Sequence, residues 1–266
     1  AFIGKDWHFT DEEMKDADRA AFLSKSDLAT GMVTEFTELQ GEMGKEYALL
    51  DGEKPEVAQA IFEQYMPRFS GDILPKESIG RALSLADKLD NLSATFLRGL
   101  IPTGSQDPFA LRRQTIGAVN ILTDGKIHWD IRRGIAKALE LLPGEQEVKD
   151  KVLSQVEDFF RQRIRAILLD NGIAYDIIDA VLAGPVDDIY AIFLKAQAMT
   201  ESHLKEEADL RQAVTRLANI TKGKTGGKVD PALFEEDAEK NLEAALAKAM
   251  AAVEPLYREY RYADAL

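Results

Sequence analysis

The sequence predicts an all-α protein of two domains, and three observations carry the prediction. Apolar residues recur at spacings of three and four along almost the whole chain. No run of alternating apolar and polar residues is flanked by hairpin turn signals. Helix starts are also written firmly: in TGSQDPFALRRQ, residues 103 to 114, Asp107 is a good N-cap and Pro108 suits the first helical position, where its missing N–H would have no intrahelical partner.

In chain order, Asp27 in LSKSDLATGMV reads as an N-cap, a role that contributes about 0.5–2 kcal/mol. ALSLADKLDNL, 82 to 92, is an amphipathic helix with Leu83, Ala86, Leu89 and Leu92 on one stripe. Asp87 and Asp90 lie off that stripe, with Lys88 between them. The helix begun at Asp107 places Arg112 and Arg113 on its first turns, although the helix dipole favours cations at the other end. LPGEQE, 142 to 147, puts Pro and Gly between two helical patterns, and the domain boundary is placed there, giving domains 1–142 and 148–266. From 148 to 168, apolar Val148, Val152, Phe159, Phe160, Ile164, Ile167 and Leu168 fall mainly on one helix face. Leu210, Val214, Leu217 and Ile220 mark another helix, ended by the loop KGKTGGK. An alanine-rich helix from about Glu235 to Val253 is expected to stop before Pro255. No internal repeat stands out.

Composition narrows the function. A chain of 266 residues, 45% hydrophobic, can bury a sizeable core. The net charge of -13, from 46 acidic and 33 basic residues, excludes nucleic-acid binding through the overall field and leaves only a local basic face for it. Without cysteine there is no disulfide, thiolate nucleophile or cysteine-based zinc site, which fits a reducing cytoplasm. No apolar run approaches the roughly 18 residues of a membrane helix. AFIGKDWHFT at the start and EPLYREYRYADAL at the end read as cuts within a longer protein.

The familiar chemical motifs fail on spacing. KGKTGGK resembles a phosphate-binding loop, but Ala218 stands where Gly223-Lys224-Thr225 would need a glycine, and Val229 follows Gly227-Lys228. His8, His128 and His203 are far apart, with no second ligand at a metal-site spacing. There is no G-x-S-x-G elbow. The abundant carboxylates are read as caps and solvated helix faces.

Four blocks carry a resemblance: SKSDLATGMVTEFTELQGEMGKEYAL (24 to 49), QYMPRFSGDILP (64 to 75), ALSLADKLDNL, and PTGSQDPFALRRQTIGAVNIL (102 to 122). Together they resemble the β subunit of the bacterial tetrameric glycyl-tRNA synthetase. The similarity continues in order through DNGIAYDIIDAVLAG, AVTRLANI and EPLYREYRYADAL, and so covers nearly the whole chain. It implies an HD-like helical domain followed by an incomplete, DALR-type anticodon-binding-like domain. It further implies a fragment without an active site. The ATP- and Mg-dependent adenylate chemistry belongs to the α subunit, and the β subunit binds tRNA-Gly and supports the assembled cytoplasmic enzyme, with neither membrane nor DNA as partner. HD phosphohydrolases hold a divalent metal with a histidine, a His-Asp pair and a later aspartate. Here Asp27 and Asp87 match the two aspartates, but Ser26 precedes Asp27 and no histidine lies between His8 and His128, so the site is degenerate and no metal is expected.

Against that background the basic residues of 110 to 133 acquire a reading. Arg112, Arg113, Lys126, Arg132 and Arg133 outnumber Asp124 and Asp130, and arginine's planar fork suits phosphate, so these five are the candidate tRNA contacts. Pairing with carboxylates inside the fold is the competing reading for each. Arg161, Arg163 and Arg165 alternate in sequence and form no compact helix face, and Arg211 and Arg216 flank an apolar stripe. Two other functions stand as alternatives: a metal-dependent HD phosphohydrolase, and a scaffold that touches only the partner subunit.

Overall fold

A computed structural model of the chain describes residues 1–202, 208–224, 226–227 and 229–266; His203, Thr225 and Lys228 lie outside the described residues, as do the side chains of Leu210 and Arg211. The protein is all-α. Among the described residues there is no strand, only the isolated bridges Thr103–Gln106 and Asp130–Asp188. No helix among them is long and apolar enough to cross a membrane. The chain divides into two compact units, Ala1–Asn171 with Leu182–Tyr190, and Gly172–Val181 with Ala191–Leu266.

The first unit is built from α1 (Phe2–Asp6), α2 (Asp11–Leu23), α3 (Gly31–Glu35), α4 (Glu42–Leu50), α5 (Pro55–Glu63), α6 (Ser78–Leu97), α7 (Leu111–Asp124), α8 (Ile131–Leu141) and α9 (Gln146–Asp170). α2 opens with a reciprocal capping box between Thr10 and Glu13, and Pro55 starts α5 where an N–H is not needed. α6 runs through the middle and packs against α2, α5, α7, α8 and α9. Its buried face is Leu85, Lys88, Leu89, Leu92 and Phe96, whereas Ala86 is exposed and Leu83 half-buried. The expected stripe of Leu83, Ala86, Leu89 and Leu92 is therefore rotated, because neighbours on several sides make the apolar face wide and draw Lys88 into it. Burying a leucine such as Leu85 or Leu92 contributes about 2 kcal/mol.

Two boundaries differ from expectation. α7 starts at Leu111 and not at Pro108, since Ala110 takes a left-handed φ of 54° and a turn over 107–110 is interposed. Asp107 still caps the helix, its carboxylate accepting from the Leu111 and Arg112 N–H groups at 2.8 and 2.9 Å. The segment 142–147 is a turn inside one unit, not a boundary between two. α9 lays Val152, Val156, Phe159, Phe160, Ile164 and Leu168 against α6, α7 and α8, with the Phe159 ring edge-on to Phe96 at 5.2 Å.

Gly134 on α8 allows a close approach. A Cβ there would lie 2.2 Å from Trp129 Cη2, and Trp129 is buried with its indole N–H donating to Asp6. Gly134→Ala is expected to lose about 1–3 kcal/mol despite alanine's better helix propensity. A lowered melting temperature with a shifted tryptophan emission would register the displaced ring.

In the second unit lie α10 (Tyr175–Val181), most of α11 (Ile189–Glu201), α12 (Ala208–Thr221), α13 (Asp237–Arg258) and α14 (Tyr262–Ala265). Ala191, Ala198 and Tyr262 form a small cluster, with Lys195 Nζ 5.2 Å from the Tyr262 ring. Val214, Leu217 and Ile220 of α12 are exposed, as are Leu242, Leu246 and Met250 of α13. α13 runs through Pro255 to Arg258, past the expected stop. A proline removes one intrahelical N–H, and the last turn survives that loss with Glu259 N–H donating to the Pro255 carbonyl at 3.0 Å.

Candidate functional site

The first α7 turns form one wall of a groove of about 550 Å³, whose other wall is the loop after α5 with Pro67, Phe69, Ser70 and Asp72. Phe69 is 54% exposed there, and the Arg68 guanidinium, held by Asp72 at 3.0 Å, lies 5.8 Å from its ring. Arg112 bends toward the 103–106 turn and donates to the Gly104 carbonyl at 2.6 Å. Arg113 is exposed and, among the described residues, makes no ion pair or side-chain hydrogen bond. A cationic wall beside an exposed aromatic ring can take a phosphate and a stacked base.

The other three candidate contacts are dispersed. Lys126 is exposed just past the C-terminal end of α7, whose 14 residues span about 20 Å. Arg132 donates to Glu157 at 2.8 Å, and Arg133 pairs with Asp6 at 3.3 Å while lying 5.6 Å from the Phe2 ring. Five basic residues that read as one patch thus separate into Arg112 and Arg113 on a groove, Lys126 alone at the far end, and two residues tied into ion pairs. Arg161 is structural too: it pairs with Glu157 and donates to the Leu182 and Gly184 carbonyls.

Asp27 and Asp87, the two aspartates singled out by the resemblance, have protein partners. Asp27 is buried within a short 3-10 turn (Ser26–Ala29) and caps no helix. One oxygen accepts from the Gly41 N–H at 2.7 Å and the other from the Tyr65 hydroxyl at 2.8 Å. Burial, and then this bond to Asp27, push the Tyr65 phenol above its usual range. Asp87 pairs with Lys25, which sits in the left-handed region with φ 64°, and accepts from Asn91 at 3.2 Å. Among the described residues no three His, Cys, Asp or Glu side chains converge to hold a metal. No histidine lies between His8 and His128 in the sequence, and both carboxylates already accept from protein donors.

Sequence reasoning missed several residues here. Lys88 is buried, its ammonium donating to the Met66 carbonyl at 2.8 Å and to Ser84 Oγ at 2.7 Å. The signal existed, because Leu85, Lys88 and Leu92 share the spacing of one helix face. Tyr65 and Lys25, which satisfy the two aspartates, had no local signal, since their partners are 38 and 62 residues away in sequence.

Residues 3–183 match a family model described as glycyl-tRNA synthetase beta subunit. This chain belongs to that family. The glycine–tRNA ligase beta subunit of Desulforamulus reducens is 44% identical over 260 residues, covering 96% of this chain and 37% of that one. The beta subunit of Clostridioides difficile is 43% identical over 256 residues, with the same two coverages, 96% and 37%. That of Halothermothrix orenii is 44% identical over 247 residues, 90% of this chain and 35% of its own. The chain spans little more than a third of these beta subunits. The family match includes the groove, both aspartates and α9, and so covers the surface described above.

Proposed function

We propose that this chain is the RNA-holding part of a glycine–tRNA ligase β subunit, which binds tRNA-Gly and supports the α subunit in charging it. On this reading the first unit is HD-like and the second is part of a DALR-type anticodon-binding-like domain. The ATP- and Mg-dependent activation of glycine then belongs to the α subunit in the cytoplasm, and this chain supplies RNA contacts but no active site. The observation that carries the reading is the Arg112–Arg113 wall: an unpaired, exposed arginine beside a second one, on a family member whose net charge of -13 requires any polyanion contact to be local. The donor set around Asp27 and Asp87 favours it over a phosphohydrolase. The ion pairs of Arg132, Arg133 and Arg161 favour a role for these three in the fold over a role in RNA contact.

The test is fluorescence anisotropy of labelled tRNA-Gly and a non-cognate tRNA with the full-length subunit at several salt concentrations. Binding is expected to fall with salt, and Arg113→Ala to weaken it several-fold and lower the log–log salt slope by about one. Arg132→Ala is expected to leave the slope unchanged. An Arg112→Ala/Arg113→Ala double variant that binds like the native protein would overturn the reading.

A further inference from the structure

The α7 groove holds more than its arginines. Arg113, Ile116, Gly117 and Asn120 line it at spacings of three and four, so all four lie on one face of α7. Gly117 sets how close the opposite wall comes, since a Cβ there would lie 3.2 Å from Pro67 Cγ and 2.9 Å from Lys88 Cε. Asn120 is half-buried and stands seven residues beyond Arg113, about 10 Å further along the helix. Its side-chain amide makes no hydrogen bond to the protein among the described residues. On the facing wall the Phe69 ring is exposed, and Arg68, locked by Asp72, holds its guanidinium over that ring. The two carboxylates of the groove are taken up by protein donors: Asp72 by Arg68 and the Ile73 N–H, and Asp107 by the start of α7.

Phosphate contact accounts for Arg113, but for neither the exposed ring nor the unbonded amide. In an A-form duplex the bases are stacked and paired inside, and their faces are closed to a protein side chain. An unpaired nucleotide presents its base face, its base edge and its phosphate together. Each of the three meets an open group of the groove. The face meets Phe69, and the phosphate meets Arg113. The edge meets the Asn120 amide, whose donor and acceptor match a donor–acceptor pair on a base. We propose that the α7 groove takes one unpaired nucleotide of the tRNA, with Phe69 as the stacking platform, Asn120 as the reader of the base edge and Arg113 as the phosphate contact. The inference rests on the tRNA-binding reading above and narrows it, from a backbone contact that any RNA helix offers to a site for single-stranded RNA.

The experiment compares the full-length subunit with its Phe69→Ala, Asn120→Ala and Arg113→Ala variants. Each is measured for melting temperature and, across a salt series, for affinity toward tRNA-Gly and toward a blunt RNA duplex with no unpaired nucleotide. Phe69→Ala is expected to bind tRNA-Gly about tenfold more weakly, and Asn120→Ala several-fold more weakly. Both should keep the native salt slope, the native melting temperature and the native affinity for the duplex, because neither residue meets a phosphate. Arg113→Ala should lower the salt slope for tRNA-Gly by about one. Native tRNA-Gly affinity in Phe69→Ala and Asn120→Ala, with weakened binding by Arg113→Ala, would overturn this inference and leave the tRNA reading standing. An equal loss toward the duplex, or a lowered melting temperature accompanying the loss, would likewise overturn it. A loss with Phe69→Ala alone would overturn the assignment of Asn120 to the base edge. If none of the variants changes binding, both readings fall.

Discussion

Replacing Glu157 by alanine is expected to destabilise the first unit by about 3 kcal/mol. Glu157 is buried on α9, where one oxygen accepts from Arg132 at 2.8 Å and the other from Arg161 at 3.2 Å and from the Val186 N–H at 3.3 Å. Removing one partner from a buried ion-pair network costs roughly 3–5 kcal/mol, because the remaining charges and the N–H lose their acceptor. Arg132 is about half exposed and can return to water, which holds the figure to the lower end. Arg161 has less freedom, since it also fastens the Leu182 and Gly184 carbonyls, and the loss should loosen the 182–190 segment. Glu157→Gln keeps the shape and an acceptor and should lose about half as much. The chain has two tryptophans, Trp7 and Trp129, both in the first unit, so their fluorescence during urea unfolding reads this unit directly. An alanine variant with native stability would mean that the network contributes nothing, and Arg132 would return to the list of free RNA contacts.

That network also shows where sequence reading stops. The helices were legible because burial imposes a period of three and four on each, and α9 announced itself through Val152, Phe159, Phe160 and Ile164. The partition into units was not legible at 142–147, since Pro and Gly mark a turn whether or not the next helix packs back, and only the α9 face against α6 and α8 decides that. Charges were the least legible. Arg112, Arg113, Arg132 and Arg133 look alike in sequence, yet Arg132 and Arg133 find Glu157 and Asp6, which are 25 and 127 residues away. The resemblance supplied the family and singled out Asp27 and Asp87. It carried no signal for Lys25 and Tyr65, the residues that satisfy those aspartates.

Lys88 leads to the second large effect, one that varies with pH. Burial lowers its ammonium to about 8 from an ordinary 10.5, with Asp87 on the same helix opposing. The other groups packed on it are uncharged: the Met66 carbonyl and Pro67 from the turn after α5, Ser84 on α6, and Gly117 on α7. Because the folded pKa lies below the unfolded one, the unfolded chain binds the proton more tightly. The resulting penalty is full below pH 8 and is relieved as pH rises from about 8 to 10.5, so stability contributed by this group increases across that window. A lowering from 10.5 to about 8 corresponds to about 3 kcal/mol at pH 7. Lys88→Met removes the charge and keeps an unbranched side chain, while Ser84 Oγ continues to donate to the Met66 carbonyl at 2.5 Å. The variant is therefore expected to be about 1–3 kcal/mol more stable than the native chain at pH 7, with the difference shrinking toward pH 10. Urea unfolding of both chains at pH 7, 8, 9 and 10 isolates the effect, since every other titrating group cancels in the difference. A variant less stable at pH 7 would show instead that the bonds from Lys88 to Met66 and Ser84 outweigh its desolvation, making the lysine a net clamp on the turn that leads into the groove.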